Sequence, residues 1–205
     1  MAKKIADENK RAEVVLAKLG STKEAGAVSA LYSVLGQVGD VNGLKVLVDA
    51  VKDSKGEVKD AAVRALSGWP TVAAIDDLVA LAGDAKDDTH RVLLTRGLLR
   101  LLELPSDRAA DATLGYYEKA IKIAKNAEEK KMVLGGLANV KNPAALALVE
   151  PYLDNDELKQ EAGLAAGKIK ASGYKATASV NGEHAGDAVD GKMESKWTTG
   201  TPQKP

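Results

Sequence analysis

The stretch Leu35-Gly36-Gln37-Val38-Gly39-Asp40 returns along the chain as Leu66-Ser67-Gly68-Trp69-Pro70-Thr71. It returns again as Leu101-Leu102-Glu103-Leu104-Pro105-Ser106 and as Leu137-Ala138-Asn139-Val140-Lys141-Asn142. The spacings of 31, 35 and 36 residues are those of an array of helix pairs. Each copy joins an apolar helix end to a short break and then to Asp40, Thr71, Ser106 or Asn142. These residue types cap helix N-termini, because a side-chain oxygen accepts a free amide of the next turn. Pro70 and Pro105 precede the cap and Pro143 follows it at the first helical position. Proline sacrifices no helical hydrogen bond at any of these places.

Working outward, both members of a pair are amphipathic. Val58, Ala61, Ala62, Ala65 and Leu66 keep to one face at helical spacing, as do Val72, Ile75, Val79 and Ala82. The pattern predicts helices near 8–19, 22–36, 42–53, 57–68, 72–82, 88–103, 107–125, 127–139, 143–153 and 156–170. Ser21-Thr22-Lys23-Glu24 reads as a capping box opening the second helix. Pro151 is expected to kink or shorten the end of the ninth. Such helices cannot bury a face alone, so stacked pairs follow. The expected fold class is all-α, a right-handed α-solenoid of about five pairs over 1–170, followed by a short extended or β-hairpin tail over 171–205.

Composition agrees. Hydrophobic residues make up 45% of the 205-residue chain, yet aromatics are 3% and phenylalanine is absent. A core of Ala, Leu and Val suits closely packed helices better than a β-sandwich. Lys plus Arg and Asp plus Glu both number 29, which argues against the basic footprint of a nucleic-acid binder. Cysteine is absent, so disulfide and thiol chemistry are excluded. No apolar run approaches the ~20 residues of a membrane span. The start, Met1-Ala2-Lys3-Lys4-Ile5-Ala6-Asp7-Glu8, lacks a signal-peptide core.

The segment Asp53-Ser54-Lys55-Gly56-Glu57-Val58-Lys59-Asp60-Ala61-Ala62-Val63-Arg64-Ala65-Leu66 resembles the bacterial HEAT-like repeat. Lys59 stands where that family usually has Arg. The resemblance covers roughly residues 8–170. It implies that a basic residue after the valine pairs with inter-helix carboxylates in a ladder. Lys59, Arg91, Lys130 and Lys159 are the residues at those places.

After Ala171-Ser172-Gly173 the helical period is lost. Lys175 to Val180 alternates as a strand does, Asn181-Gly182 is a hairpin-turn dipeptide, and Asp190-Gly191 is a second turn signal. The order Ala178-Ser179, Ala188-Val189-Asp190-Gly191, Trp197-Thr198-Thr199 and Gln203-Lys204-Pro205 resembles the opening of a discoidin-like (F5/8 type C) β-sandwich. That family mostly binds glycans or lipid head groups, and some lectin members bind calcium. The positions matching the calcium stretch are Asp187-Ala188-Val189-Asp190-Gly191-Lys192, where Lys192 replaces a ligand oxygen with a positive charge. An orphan hairpin is marginal in water, so Trp197 is expected half exposed or against the helix at 156–170.

Chemical signals are few. Gly186 to Gly191-Lys192-Met193 nearly spells a phosphate-binding loop, but Met193 lacks the hydroxyl that would hold magnesium. His90 and His184 lie in different segments, and His90 at a helix start reads as packed or surface. The pairs Asp76-Asp77, Asp87-Asp88 and Glu128-Glu129, and the group Asp154, Asp156 and Glu157, sit near predicted helix N-termini. Negative charge is favoured there by the helix dipole. Trp69 reads as core. One of Tyr116 and Tyr117 must face outward, where a tyrosine could anchor a partner.

The expected function is a non-catalytic protein-interaction scaffold or spacer, part of a larger multi-domain bacterial protein. The joint resemblance implies polysaccharide handling and a secreted or periplasmic parent. No catalytic, cofactor-binding or metal residue is assigned, and no cofactor, nucleic acid or membrane is expected. The expected partner is another protein or another domain of the parent chain. Two alternatives remain open. One is a HEAT-like enzyme of the bilin lyase or DNA glycosylase type. The other is glycan binding through the completed β-module.

Overall fold

A computed structural model describes residues 12–173, and all the regular structure among them is helical. The helices are α1 (Glu13–Gly20), α2 (Ala25–Val38), α3 (Val41–Asp53), α4 (Gly56–Ser67), α5 (Ile75–Asp84), α6 (Asp88–Leu102), α7 (Ala110–Ile123), α8 (Ala127–Leu137), α9 (Leu146–Val149) and α10 (Lys159–Gly173). Short 3-10 turns at Val72–Ala74, Pro143–Ala145 and Glu150–Tyr152 flank α5 and α9. The ninth expected helix is thus broken, and Pro151 lies in the turn that ends it. Expectations for the tail fall outside the described residues. They include Trp197, His184, the Gly186–Met193 run and the calcium-like stretch.

The helices form two compact units, dividing between Arg108 and Ala109. In the first, α4 packs between α2 and α6, α3 packs on α4, α5 packs on α6, and α3 also meets α5. Two pairs of contacts fix the direction of the row. Gly36 meets Ala65 while Gly39 meets Pro70, so α2 and α4 run parallel. Asp60 meets His90 while Ser67 meets Gly97, so α4 and α6 also run parallel.

The close approach depends on missing side chains. A Cβ on Gly36 would stand 2.8 Å from the Ala65 carbonyl oxygen, and one on Gly97 would stand 2.8 Å from the Ser67 Cα. Gly39 has a φ of 72°, in the left-handed region that closes helix ends, and its amide donates to the Leu35 oxygen at 3.1 Å. Its missing Cβ also makes room for the Pro70 ring.

The core of the first unit buries Leu35, Leu47, Leu66, Trp69, Leu78 and Leu98 completely. The Trp69 indole nitrogen donates to the Thr71 hydroxyl at 3.2 Å, which meets its one polar requirement. In the second unit α7 and α10 both pack on α8, and α10 also covers α9. Tyr117, Val133, Leu134, Leu137 and Ile169 are buried there.

Two of the four expected caps form side-chain bonds to the next turn. Asp40 accepts from the amides of Asn42 and Gly43 at 2.8 and 3.4 Å, and Asn142 from that of Ala144 at 2.9 Å. Thr71 caps with no side-chain bond. Ser106 lies short of α7, whose N-cap is Ala109. The expected capping box at 21–24 is corrected. Ser21 and Thr22 hydroxyls donate backward to the Lys18 oxygen, at 2.9 and 2.7 Å, and close α1. Glu24 itself caps α2, accepting from Gly26 and Ala27 at 3.0 and 2.7 Å. A carboxylate is a stronger acceptor than a hydroxyl.

Candidate functional site

The parallel packing of α2 and α4 leaves a groove of about 320 Å³ between them, within the first unit. Its apolar lining includes Gly36 and Ala65, the pair that brings the backbones together. Its polar lining is Ser29, Ser33 and Gln37 from α2 and Arg64 from α4. Ser29, Ser33 and Gln37 recur at a helical spacing of four, which places them along one edge of α2.

None of these polar groups is engaged among the described residues. The Ser29 hydroxyl is buried without a hydrogen-bond partner. Ser33, Gln37 and Arg64 are exposed, and no side-chain hydrogen bond or ion pair within the described structure occupies them. A buried hydroxyl left unpaired costs about 1–3 kcal/mol, a cost that a ligand atom or a water in the groove would relieve. The set can donate and accept hydrogen bonds and attract one negative charge. It places no general base against either serine hydroxyl.

The expected ladder residues behave differently from one another. Arg91 is 1% exposed and its Nη1 donates to the Asp88 carboxylate at 2.6 Å. Lys159 pairs at 2.8 Å with Asp156, just ahead of its own helix. The Lys130 ammonium lies 5.7 Å from the centre of the Tyr152 ring. Lys59 is half-buried and meets no carboxylate among the described residues. The inter-helix ladder is therefore not formed at Lys59, Lys130 or Lys159. In the second unit the cation that faces its neighbour helix is one residue later. Lys131 binds Glu128 at 2.7 Å, which raises its pKa, and the charges of Glu157 and of Glu161 on α10 add to the rise.

The other singled-out residues take structural places. Trp69 is buried. Tyr117 is buried against Gly136, while Tyr116 is half-buried with the Lys119 ammonium 5.3 Å from its ring centre. His90 Nε2 lies 2.7 Å from Asp60 Oδ1 and links α6 to α4. Asp87 caps α6, accepting from the His90 amide at 2.8 Å. Asp76, Asp77, Asp88, Glu128 and Glu129 occupy first turns, as their charge favours. Glu129 is buried but satisfied, accepting from the Lys125 amide and the Asn126 side chain.

Shifted titrations lie away from the groove lining. Burial raises the pKa of the Tyr32 phenol and of the Asp77 carboxyl, the latter against the opposing charge of Lys52. The hydrogen bond from Lys122 lowers the pKa of Glu118. Among the described residues no group of three or more His, Asp or Glu side chains could hold a metal ion. No described helix is long and apolar enough to cross a membrane.

The groove was not singled out in the sequence, although a signal was present. Gly36 interrupts an otherwise good helix, as a glycine at a close helix approach does, but Gly115 and Gly163 interrupt theirs with nothing within 4 Å of an added Cβ. Comparison with known proteins adds no relative: no family model matches the chain, and no curated protein matches it.

Proposed function

We propose that the chain is a non-catalytic protein-interaction scaffold, and that the groove between α2 and α4 is where a partner segment docks. The observation that carries this reading is the groove's lining of four polar side chains, none of them committed within the described structure. Folded domains engage most of their buried polar atoms internally, and the Ser29 hydroxyl is the buried, unpaired one in this lining, beside three exposed side chains. A groove whose polar groups remain unused is suited to supplying hydrogen bonds to something else. The volume matches the lower end of ligand-sized clefts, enough for a side chain or two of an extended segment.

The same reading takes the helix pairs as HEAT-like turns of a right-handed solenoid. Support comes from the parallel row of α2, α4 and α6, with α3 and α5 packed behind it, and from the repeated stretches that end α2 and α4. Repeat folds of this kind present successive helices as one extended surface.

The test is a display selection. A random heptapeptide library would be panned against the full chain and counter-selected on the Ser33→Trp variant, whose indole fills the groove. Peptides that bind the parent about tenfold better than the variant would support docking at this place. Equal recovery on both proteins, or no enrichment, would overturn it.

A further inference from the structure

We propose that the groove reads a carboxylate, with Arg64 clamping an Asp or Glu side chain of an extended acidic segment in the partner protein. The inference rests on the docking reading and specifies its chemistry. Arg64 is the one charged group in the groove's lining. Its guanidinium is exposed and meets no carboxylate among the described residues. Asp60, one turn earlier on α4, lies four residues away at ion-pairing helical spacing. Its Oδ1 instead sits 2.7 Å from His90 Nε2. The structure thus holds the nearest acidic residue of α4 against another helix and leaves the arginine open.

The rest of the lining decides between anions. A guanidinium presents two parallel N–H groups that match the two oxygens of a carboxylate. The Ser33 hydroxyl and the Gln37 amide, on the facing helix, are neutral groups suited to the peptide units beside that side chain. A phosphate monoester would bring close to two negative charges to a lining with a single cation. A nucleic acid would need a row of cations and aromatic platforms, and no aromatic residue lines the groove. Gly36 and Ala65 pack against each other and form the buried apolar part of the lining.

Arg96 on α6 supplies the control. It too is exposed and without a partner among the described residues, but it lies outside the groove lining. Diffuse surface attraction would use both arginines alike, whereas a groove site uses Arg64.

The experiment is a nuclear magnetic resonance titration of the full chain with the blocked tripeptide Ac-Ala-Glu-Ala-NH2 and its neutral counterpart Ac-Ala-Gln-Ala-NH2. Contact through one side chain is weak, with a Kd of about a millimolar, so the protein's shifts are followed up to tens of millimolar peptide. The expected result is movement of the Ser33, Gly36 and Gly68 amides and of the Arg64 Nε–H with the glutamate peptide. The glutamine peptide should be about tenfold weaker. Arg64→Gln should abolish the difference between the peptides, Arg64→Lys should weaken it, and Arg96→Gln should leave it nearly unchanged. Equal movement with both peptides would overturn carboxylate reading while leaving docking intact. Equal loss in Arg64→Gln and Arg96→Gln would overturn it as surface attraction. No movement of groove amides with either peptide would overturn it as well, and the display selection then decides the docking reading separately.

Discussion

Arg100 Nη2 lies 2.5 Å from the main-chain oxygen of Trp69 and 3.3 Å from that of Ser67. The arginine belongs to α6, while the two oxygens lie at the end of α4 and just beyond it. The last carbonyls of a helix have no partner inside it, and positive charge at that end is favoured by the dipole. One guanidinium therefore closes a helix end and fixes the spacing of two parallel helices at once. It also orients the segment that carries the buried indole.

Replacing Arg100 by methionine should remove these bonds while keeping much of the apolar stem. A hydrogen bond from a charged donor contributes about 1.5–3 kcal/mol, less where water competes. With Arg100 exposed, a loss of about 1 kcal/mol in urea unfolding is expected. Arg100→Lys should recover part of it. An unchanged midpoint would show that the contact orders the arginine without stabilising the helix row.

Gly36→Ala and Gly97→Ala set two effects against each other. Alanine is the better helix former by about 1 kcal/mol. Its Cβ would nevertheless stand 2.8 Å from backbone atoms of α4 at either site, and forcing a packed interface apart costs about 1–3 kcal/mol. Net destabilisation is expected at both positions. Gly163→Ala in α10 is the counterpart, because nothing lies within 4 Å of its added Cβ. That variant should gain about 0.4–1 kcal/mol. Thermal melts of the three proteins check the signs. A gain at Gly36 would mean that the α2–α4 approach is looser than described, and would weaken the basis of the groove.

These glycines also show where the sequence was legible. Asp40 and Asn142 were read as caps because the signal is local, a short side chain over the next turn. The core placement of Trp69 followed from its position in the repeat. Ser106 failed because α7 begins at Ala110. The intervening Arg108 donates to the Leu102 oxygen at 2.9 Å and prolongs the end of α6. The groove needed pairing information that periodicity does not carry. Gly36 and Ala65 are neighbours across two helices, and only their juxtaposition lines Ser33 up with Arg64. Lys131 escaped for a related reason, since which lysine of Lys130-Lys131 faces α10 depends on a rotation of α8 that local pattern leaves open.

Glu24→Ala should destabilise α2 by about 1 kcal/mol, the ordinary worth of an N-cap, because the amides of Gly26 and Ala27 lose their acceptor. Ser21→Ala should cost less, since Thr22 also donates to the Lys18 oxygen. Hydrogen exchange at Gly26 and Ala27 gives a local readout, with faster exchange expected in Glu24→Ala alone. Faster exchange in Ser21→Ala instead would restore Ser21 as the cap of α2.

Asp77 gives a pH-dependent prediction whose sign can be worked out. Its carboxyl is raised in the folded chain, first by burial, with the Asp76 charge adding and the Lys52 charge opposing. A raised folded-state pKa means that the native state binds the proton more tightly than the unfolded chain does. Ionisation of Asp77 therefore costs stability as pH rises through the carboxylate range, and the cost persists at neutral pH. Asp77→Asn removes that titration. Relative to the parent, the variant should be more favoured at pH 7 than at pH 3, where Asp77 is protonated in both states. Paired melting curves at the two pH values measure the difference directly. A variant that loses relative stability between pH 3 and pH 7 would show that Lys52 and the N-terminal dipole of α5 outweigh burial.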